Sequence, residues 1–101
     1  MSVLLEFAMF PTDKGESVSP YVARIVSRIA ESHFAYQLTA MGTLVETETV
    51  DEALELVAAC YKLLQPDCNR VYTTLTMDVR QDHQHCLEGK VASVRNQMSG
   101  R

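Results

Sequence analysis

"QLTAMGTLVE", residues 37–46, decides how this chain is read. Apolar and polar side chains nearly alternate on either side of Met41-Gly42, the pattern of two short strands around a tight reversal. The reading places strands at 36–40 and 43–47 with only a turn between them. Its polar set, Gln37, Thr39, Thr43 and Glu46, is richer than a plain hairpin needs.

The flanks of this hairpin do not read as hairpins. Upstream, residues 2–10 alternate Val3, Leu5, Phe7 and Met9 against Leu4, Glu6, Ala8 and Phe10. Both sets are largely apolar, which suits a central strand. Pro11 ends it, lacking an N–H. After a polar loop, Ser19-Pro20 reads as an N-cap and first helical residue. Val18, Val22, Ile25, Val26 and Ile29 then recur at helical spacing, predicting a helix to about Ser32.

Downstream, Thr49 and Glu52 form a capping box. Leu54, Val57, Ala58, Tyr61 and Leu64 make the predicted buried stripe of a second helix, stopped by "QPDCN". Residues 70–80 alternate Val71, Thr73, Leu75, Met77 and Val79 against Tyr72, Thr74, Thr76 and Asp78. A third, short helix follows from Leu87, Val91, Val94 and Met98.

The order β-α-β-β-α-β plus a C-terminal helix is the split βαβ pattern. With right-handed crossovers it gives an α+β, ferredoxin-like sandwich. Its four-stranded antiparallel sheet carries two helices on one face. The first and third strands are expected at its centre and the second and fourth at its edges. The other face would present Leu4, Ala8, Phe10 and Tyr72, too apolar to stay bare. Association with further copies of the chain is the expectation.

Composition narrows the partners. The chain has 101 residues, 47% hydrophobic, which suits a single domain over 1–101. A net charge of −4 argues against nucleic acid or an anionic membrane as main partner. The start, "MSVLLEFAMFP", lacks the basic region and cleavage site of a signal peptide. Three widely spaced cysteines, Cys60, Cys68 and Cys86, give no disulfide framework, so a cytoplasmic location is expected.

Candidate chemistry is sparse. "DHQHC", residues 82–86, offers His83, His85 and Cys86 as borderline-soft zinc ligands, but no fourth ligand accompanies them. A solvated loop is the plainer reading. His33 reads as a helix-end residue and Cys60 as structural. No Gly-x-Ser-x-Gly is present, and no cysteine has an evident histidine partner. Ser17 and Ser19, before the first helix, are candidates for holding a small anion. Glu6 stands out, because a carboxylate in a central strand is costly to bury alone. Its candidate partners are Arg70, Arg80, Lys14 or a ligand cation, and Glu46 is expected to converge on the same region.

The stretches "LLEFAMFPTDKGESVSPYVARIV", "YQLTAMGTLVE" and "RVYTTLTMDVR" together resemble the thiamine-binding, MTH1187/YkoF-like family of small proteins (UPF0045/DUF77). The resemblance runs over residues 3–94. Glu6, Pro11, Ser17, Ser19, Met41, Thr43, Glu46, Arg70 and Arg80 match its pattern. Ala40 and Thr47 depart from the Pro and Gly it carries there. The resemblance implies ferredoxin-like domains assembled as dimers and tetramers through their sheets. It also implies binding of thiamine or its hydroxymethylpyrimidine part, with neither catalysis nor a cofactor.

Carried onto this chain, Glu6, Gln37, Thr39, Thr43 and Glu46 would surround the ligand, with Ser17 and Ser19 at its rim. Phe10, Met41 and Tyr72 would form an aromatic and thioether wall. The competing reading is a metal-dependent regulator or enzyme built on His83, His85 and Cys86.

Overall fold

A computed structural model describes residues 1–100. The elements are β1 (Ser2–Pro11), α1 (Ser19–Glu31), β2 (Ala35–Leu38), β3 (Thr43–Thr47), α2 (Val50–Leu64), β4 (Val71–Arg80) and α3 (Cys86–Ser99). The strands form one sheet in the order β2-β3-β1-β4, antiparallel throughout. This is the ferredoxin-like α+β sandwich that the sequence predicts, with β1 and β3 inside and β2 and β4 at the edges.

β1 organises the layers. Val3, Leu5, Phe7 and Met9 point to one face and are buried against Ile25 and Ile29 of α1 and Leu56, Cys60 and Leu64 of α2. Leu4, Glu6, Ala8 and Phe10 point to the opposite, open face, where Glu6 is exposed and the others are half-buried. The expectation of a buried Glu6 is therefore corrected. The strand is central in the sheet, but only one of its faces lies under helices.

Three local expectations also shift. α2 buries Ala53, Leu56, Cys60 and Leu64, while Leu54 and Tyr61 are exposed. Small Ala53 and Cys60 let the helix lie close to the sheet, and that closeness outweighs the larger residues beside them. At α1 the N-cap is Val18, without a side-chain cap, and Ser19 is already helical. The amides of Tyr21 and Val22 both reach the Val18 carbonyl, at 3.0 Å each. Leu75, Met77 and Val79 do face the helix side, but β4 is the outermost strand and each stays at least 36% exposed.

The Thr49 capping box forms as predicted, with the Glu52 amide donating to Thr49 Oγ1 at 3.1 Å. Loops are tied across the fold as well. Asp13 accepts the amides of Asn69 (2.8 Å) and Arg70 (3.4 Å), joining the β1–α1 and α2–β4 connections. Arg24 of α1 makes a two-pronged pair with Asp67 after α2, at 2.9 and 3.0 Å.

Removal of the α2 cap tests this account. Thr49→Ala is expected to lower stability by about 1 kcal/mol, read from urea unfolding, with the slope of the transition unchanged.

Candidate ligand site

The two neighbours of β1 differ in length. β3 accompanies β1 only as far as Phe7, opposite Thr43, whereas β4 continues to Pro11, opposite Val71. The β1 edge beyond Phe7 is thus open on the β3 side. Opposite it stand the hairpin tip and the start of α1. Between them lies a largely apolar notch of about 290 Å³, lined by Met9, Phe10, Val18, Val22, Leu38, Met41 and Thr43 among others.

The hairpin tip is built for this position. The Thr39 amide donates to the Gly42 carbonyl at 2.9 Å, so the reversal falls on Ala40 and Met41 rather than Met41-Gly42. Neither has a positive φ. Gly42 is required by proximity instead, since a Cβ there would sit 2.8 Å from the Phe7 carbonyl oxygen. The Thr39 hydroxyl donates to the Gly42 carbonyl (2.8 Å) and accepts the Met41 and Gly42 amides (both 3.2 Å). It closes the turn and ends β2 at Leu38, two residues earlier than expected. Met41 is left 85% exposed at the mouth.

On the open face, cross-strand neighbours form rows. Gln37, Leu44, Glu6 and Thr76 lie side by side, followed by Ala8 with Thr74 and then Phe10 with Tyr72. The Phe10 and Tyr72 rings meet at 5.9 Å between centroids, tilted by 42°. Glu6 has no hydrogen bond or ion pair among the described residues. Ala8 and Met41 border both the notch and a small hollow holding Glu6, Thr74 and Thr76, so the two areas adjoin.

Glu46 does not join them. It lies three residues along β3 from Thr43, roughly 10 Å away, and is already engaged. Its carboxylate accepts the Ser2 hydroxyl at 2.5 Å and the amides of Cys86 (2.9 Å) and Leu87 (3.3 Å) at the start of α3. Burial pushes this carboxyl up, but the Ser2 hydroxyl, the two amides and nearby His85 outweigh it and hold it below the usual range.

The histidine loop is engaged too. Arg80 Nη2 lies 2.7 Å from His83 Nε2, and His83 Nδ1 lies 3.0 Å from Asp82 Oδ1. Arginine only donates, so Nε2 is the acceptor and Nδ1 carries the ring proton toward Asp82. Both nitrogens that a metal would need are therefore taken. Cys86 is buried, and no group of three or more metal-ligating side chains occurs among the described residues. Burial also pushes the Cys60 thiol up to about 11, which makes it a packing residue rather than a nucleophile.

Comparison with known proteins agrees with this fold and sequence pattern. A family model described as thiamine-binding protein matches residues 5–95. The chain belongs to the thiamine-binding protein family. A UPF0045 protein of Methanothermobacter thermautotrophicus is 41% identical over 83 residues, covering 81% of this chain and 84% of the relative. YqgV of Bacillus subtilis, of the same group, is 36% identical over 86 residues, covering 81% and 83%. Among solved structures, MJ1052 of Methanocaldococcus jannaschii superposes with a TM-score of 0.84 at 29% identity, covering 93% of this chain and 96% of the other. A Thermotoga maritima protein provisionally assigned to thiamine biosynthesis or salvage shares the fold, at a TM-score of 0.81 and 19% identity over 94% and 100% of the chains.

Within this member of the thiamine-binding protein family, the expected site residues separate. Phe10, Met41 and Thr43 line the notch together with Thr39, whose hydroxyl the turn occupies. Glu6, Gln37 and Tyr72 lie on the adjoining open face. Ser17 and Ser19 are exposed and outside both areas, and Glu46 is a helix cap. Neither Arg70, Arg80 nor Lys14 pairs with Glu6. Sequence reasoning missed Val18, Val22 and Leu38 as notch walls. Their signal was the apolar start of α1 facing the last residue of β2.

The notch depends on the close contact at Gly42. Gly42→Ala is expected to destabilise the domain by roughly 1–3 kcal/mol. Urea unfolding reads the loss, and amide shifts at Phe7 and Ala8 locate it.

Proposed function

We propose that this protein binds thiamine or its hydroxymethylpyrimidine moiety and catalyses no reaction on it. One observation carries the reading: in a chain of the thiamine-binding protein family, an apolar notch adjoins a sheet face bearing an unpaired carboxylate. The notch suits a flat heterocycle, with the open β1 edge beside it and Phe10 and Met41 as walls. Glu6 suits an exocyclic amine or a thiazolium cation, and Gln37, Thr74 and Thr76 offer further polar contacts. Phe10 and Tyr72 present aromatic surface to the same cation.

The proposal also holds that residues 1–101 act as one domain within a homodimer or homotetramer assembled through its sheets. Half-buried Leu4 and Phe10 and exposed Tyr72, Leu75, Met77 and Val79 support this, being more apolar surface than a lone small domain leaves in water. Three buried free cysteines suit a reducing cytoplasm. Among the described residues no helix is long and apolar enough to cross a membrane.

Calorimetric titration with thiamine and with hydroxymethylpyrimidine tests the binding reading. Saturable heat is expected with at least one of them. Glu6→Gln should weaken binding about tenfold, the scale of one charge-assisted hydrogen bond. Absence of heat with both ligands overturns the reading. Sedimentation tests the assembly, and a monomer at micromolar concentration would contradict it.

A further inference from the structure

Helix α3 is attached in an unusual way. The hydrogen bonds that tie it to the sheet fall within its first five residues: Cys86 and Leu87 donate to Glu46, and Lys90 pairs with Asp78. Every residue from Glu88 to Gly100 is exposed, including Val91, Val94 and Met98 of the predicted apolar stripe. The remainder of the helix stands off from β2 across a groove with Ala35 and Gln37 on one wall and Val91 and Arg95 on the other.

Two features weaken this attachment. His85, at the N-cap, has φ 57° and ψ 36° and makes no side-chain cap. The left-handed region costs a residue with a Cβ, and it leaves the first amides of the helix to a partner from elsewhere. Glu46 supplies that partner from a strand 40 residues away. Gly89 sits inside the attached turn, where an added Cβ would meet nothing within 4 Å. Packing therefore does not demand a glycine there, while helix propensity argues against one.

We propose that Glu46 is a latch for α3, and that the helix swings on the 81–85 loop between a latched state over the Leu4 end of the sheet and a released state. In the latched state the carboxylate stands in for the missing cap. Release removes the strain at His85, uncovers Leu4 and Leu44, and widens the groove beside Gln37. α3 thereby gates access to the open sheet face, whatever occupies that face.

Acid acts on the same latch. The groups facing Glu46 are the Ser2 hydroxyl on β1, the Cys86 and Leu87 amides on α3 and His85 on the loop, while His33, Glu48 and Met1 share its cavity. Protonated His85 favours the ionised carboxylate, and Glu48 opposes it. Since the folded value is depressed, latching is complete above the ordinary 4.5 and is lost as pH falls through the lower folded value.

Amide hydrogen exchange on the full chain at pH 7 tests the latch without any ligand. In Glu46→Gln, exchange at Cys86–Ser99 should speed up at least about tenfold while the amides of β1 and β3 keep their protection. Ser2→Ala should act in the same direction, less strongly. Gly89→Ala should slow α3 exchange by about fivefold through helix propensity alone. Unchanged α3 exchange in Glu46→Gln overturns the latch. So does protection lost across the whole sheet in both Glu46→Gln and Ser2→Ala, which would make Glu46 part of the core rather than a latch on it.

Discussion

The pairing of β1 with a strand on each side is the constraint on which the other contacts depend. It fixes the direction of every side chain from Ser2 to Pro11. Val3, Leu5, Phe7 and Met9 must then fill the space beneath α1 and α2, and Glu6 must face away from it. The same pairing is unequal in length on its two sides, and that inequality opens the notch. Core and candidate site are thus two consequences of one strand, separated by which face or which edge is considered.

The carboxylates sort themselves by partner. Asp13 is held below the usual range chiefly by the Asn69 amide, Asp67 by Arg24 and Asp78 by Lys90. Glu46 is held low against its own burial by the Ser2 hydroxyl and the α3 amides. Each therefore favours the folded state above its ordinary value and loses that contribution as pH falls through the lower folded one. These acids fasten loops and helices. Glu6 has no such task in the fold, which is why it stands as the carboxylate available to a ligand.

Much of this was legible in the sequence, and the failures have physical causes. Strand alternation, the Thr49 capping box and the central hairpin gave the element order and the sheet order correctly, because these signals are local. The stripe of α2 was misplaced because Ala53 and Cys60 are buried for their small size, while periodicity counts large residues. Glu6 was read as buried because both sides of β1 look apolar, and the chain does not announce which side the helices cover. Ser19 looked like a cap, yet the chain enters α1 one residue earlier. For Glu46 no local signal existed, since its partners lie 44, 40 and 41 residues away. The family pattern located Met41 and Thr43 at the notch but could not tell a ligand contact from a structural one at Glu46.

The contact between Gly42 and the Phe7 carbonyl has a consequence for how such a site can diversify. One side of the opening is set by main chain against main chain, with no room even for a methyl group. Its width is then insulated from sequence drift in the surrounding side chains. Ala40 and Met41, at the tip, carry no such restriction and can be exchanged without moving the frame. A scaffold of this kind keeps a constant aperture while its threshold is rewritten, so new ligand preferences can arise by substitution at two exposed positions.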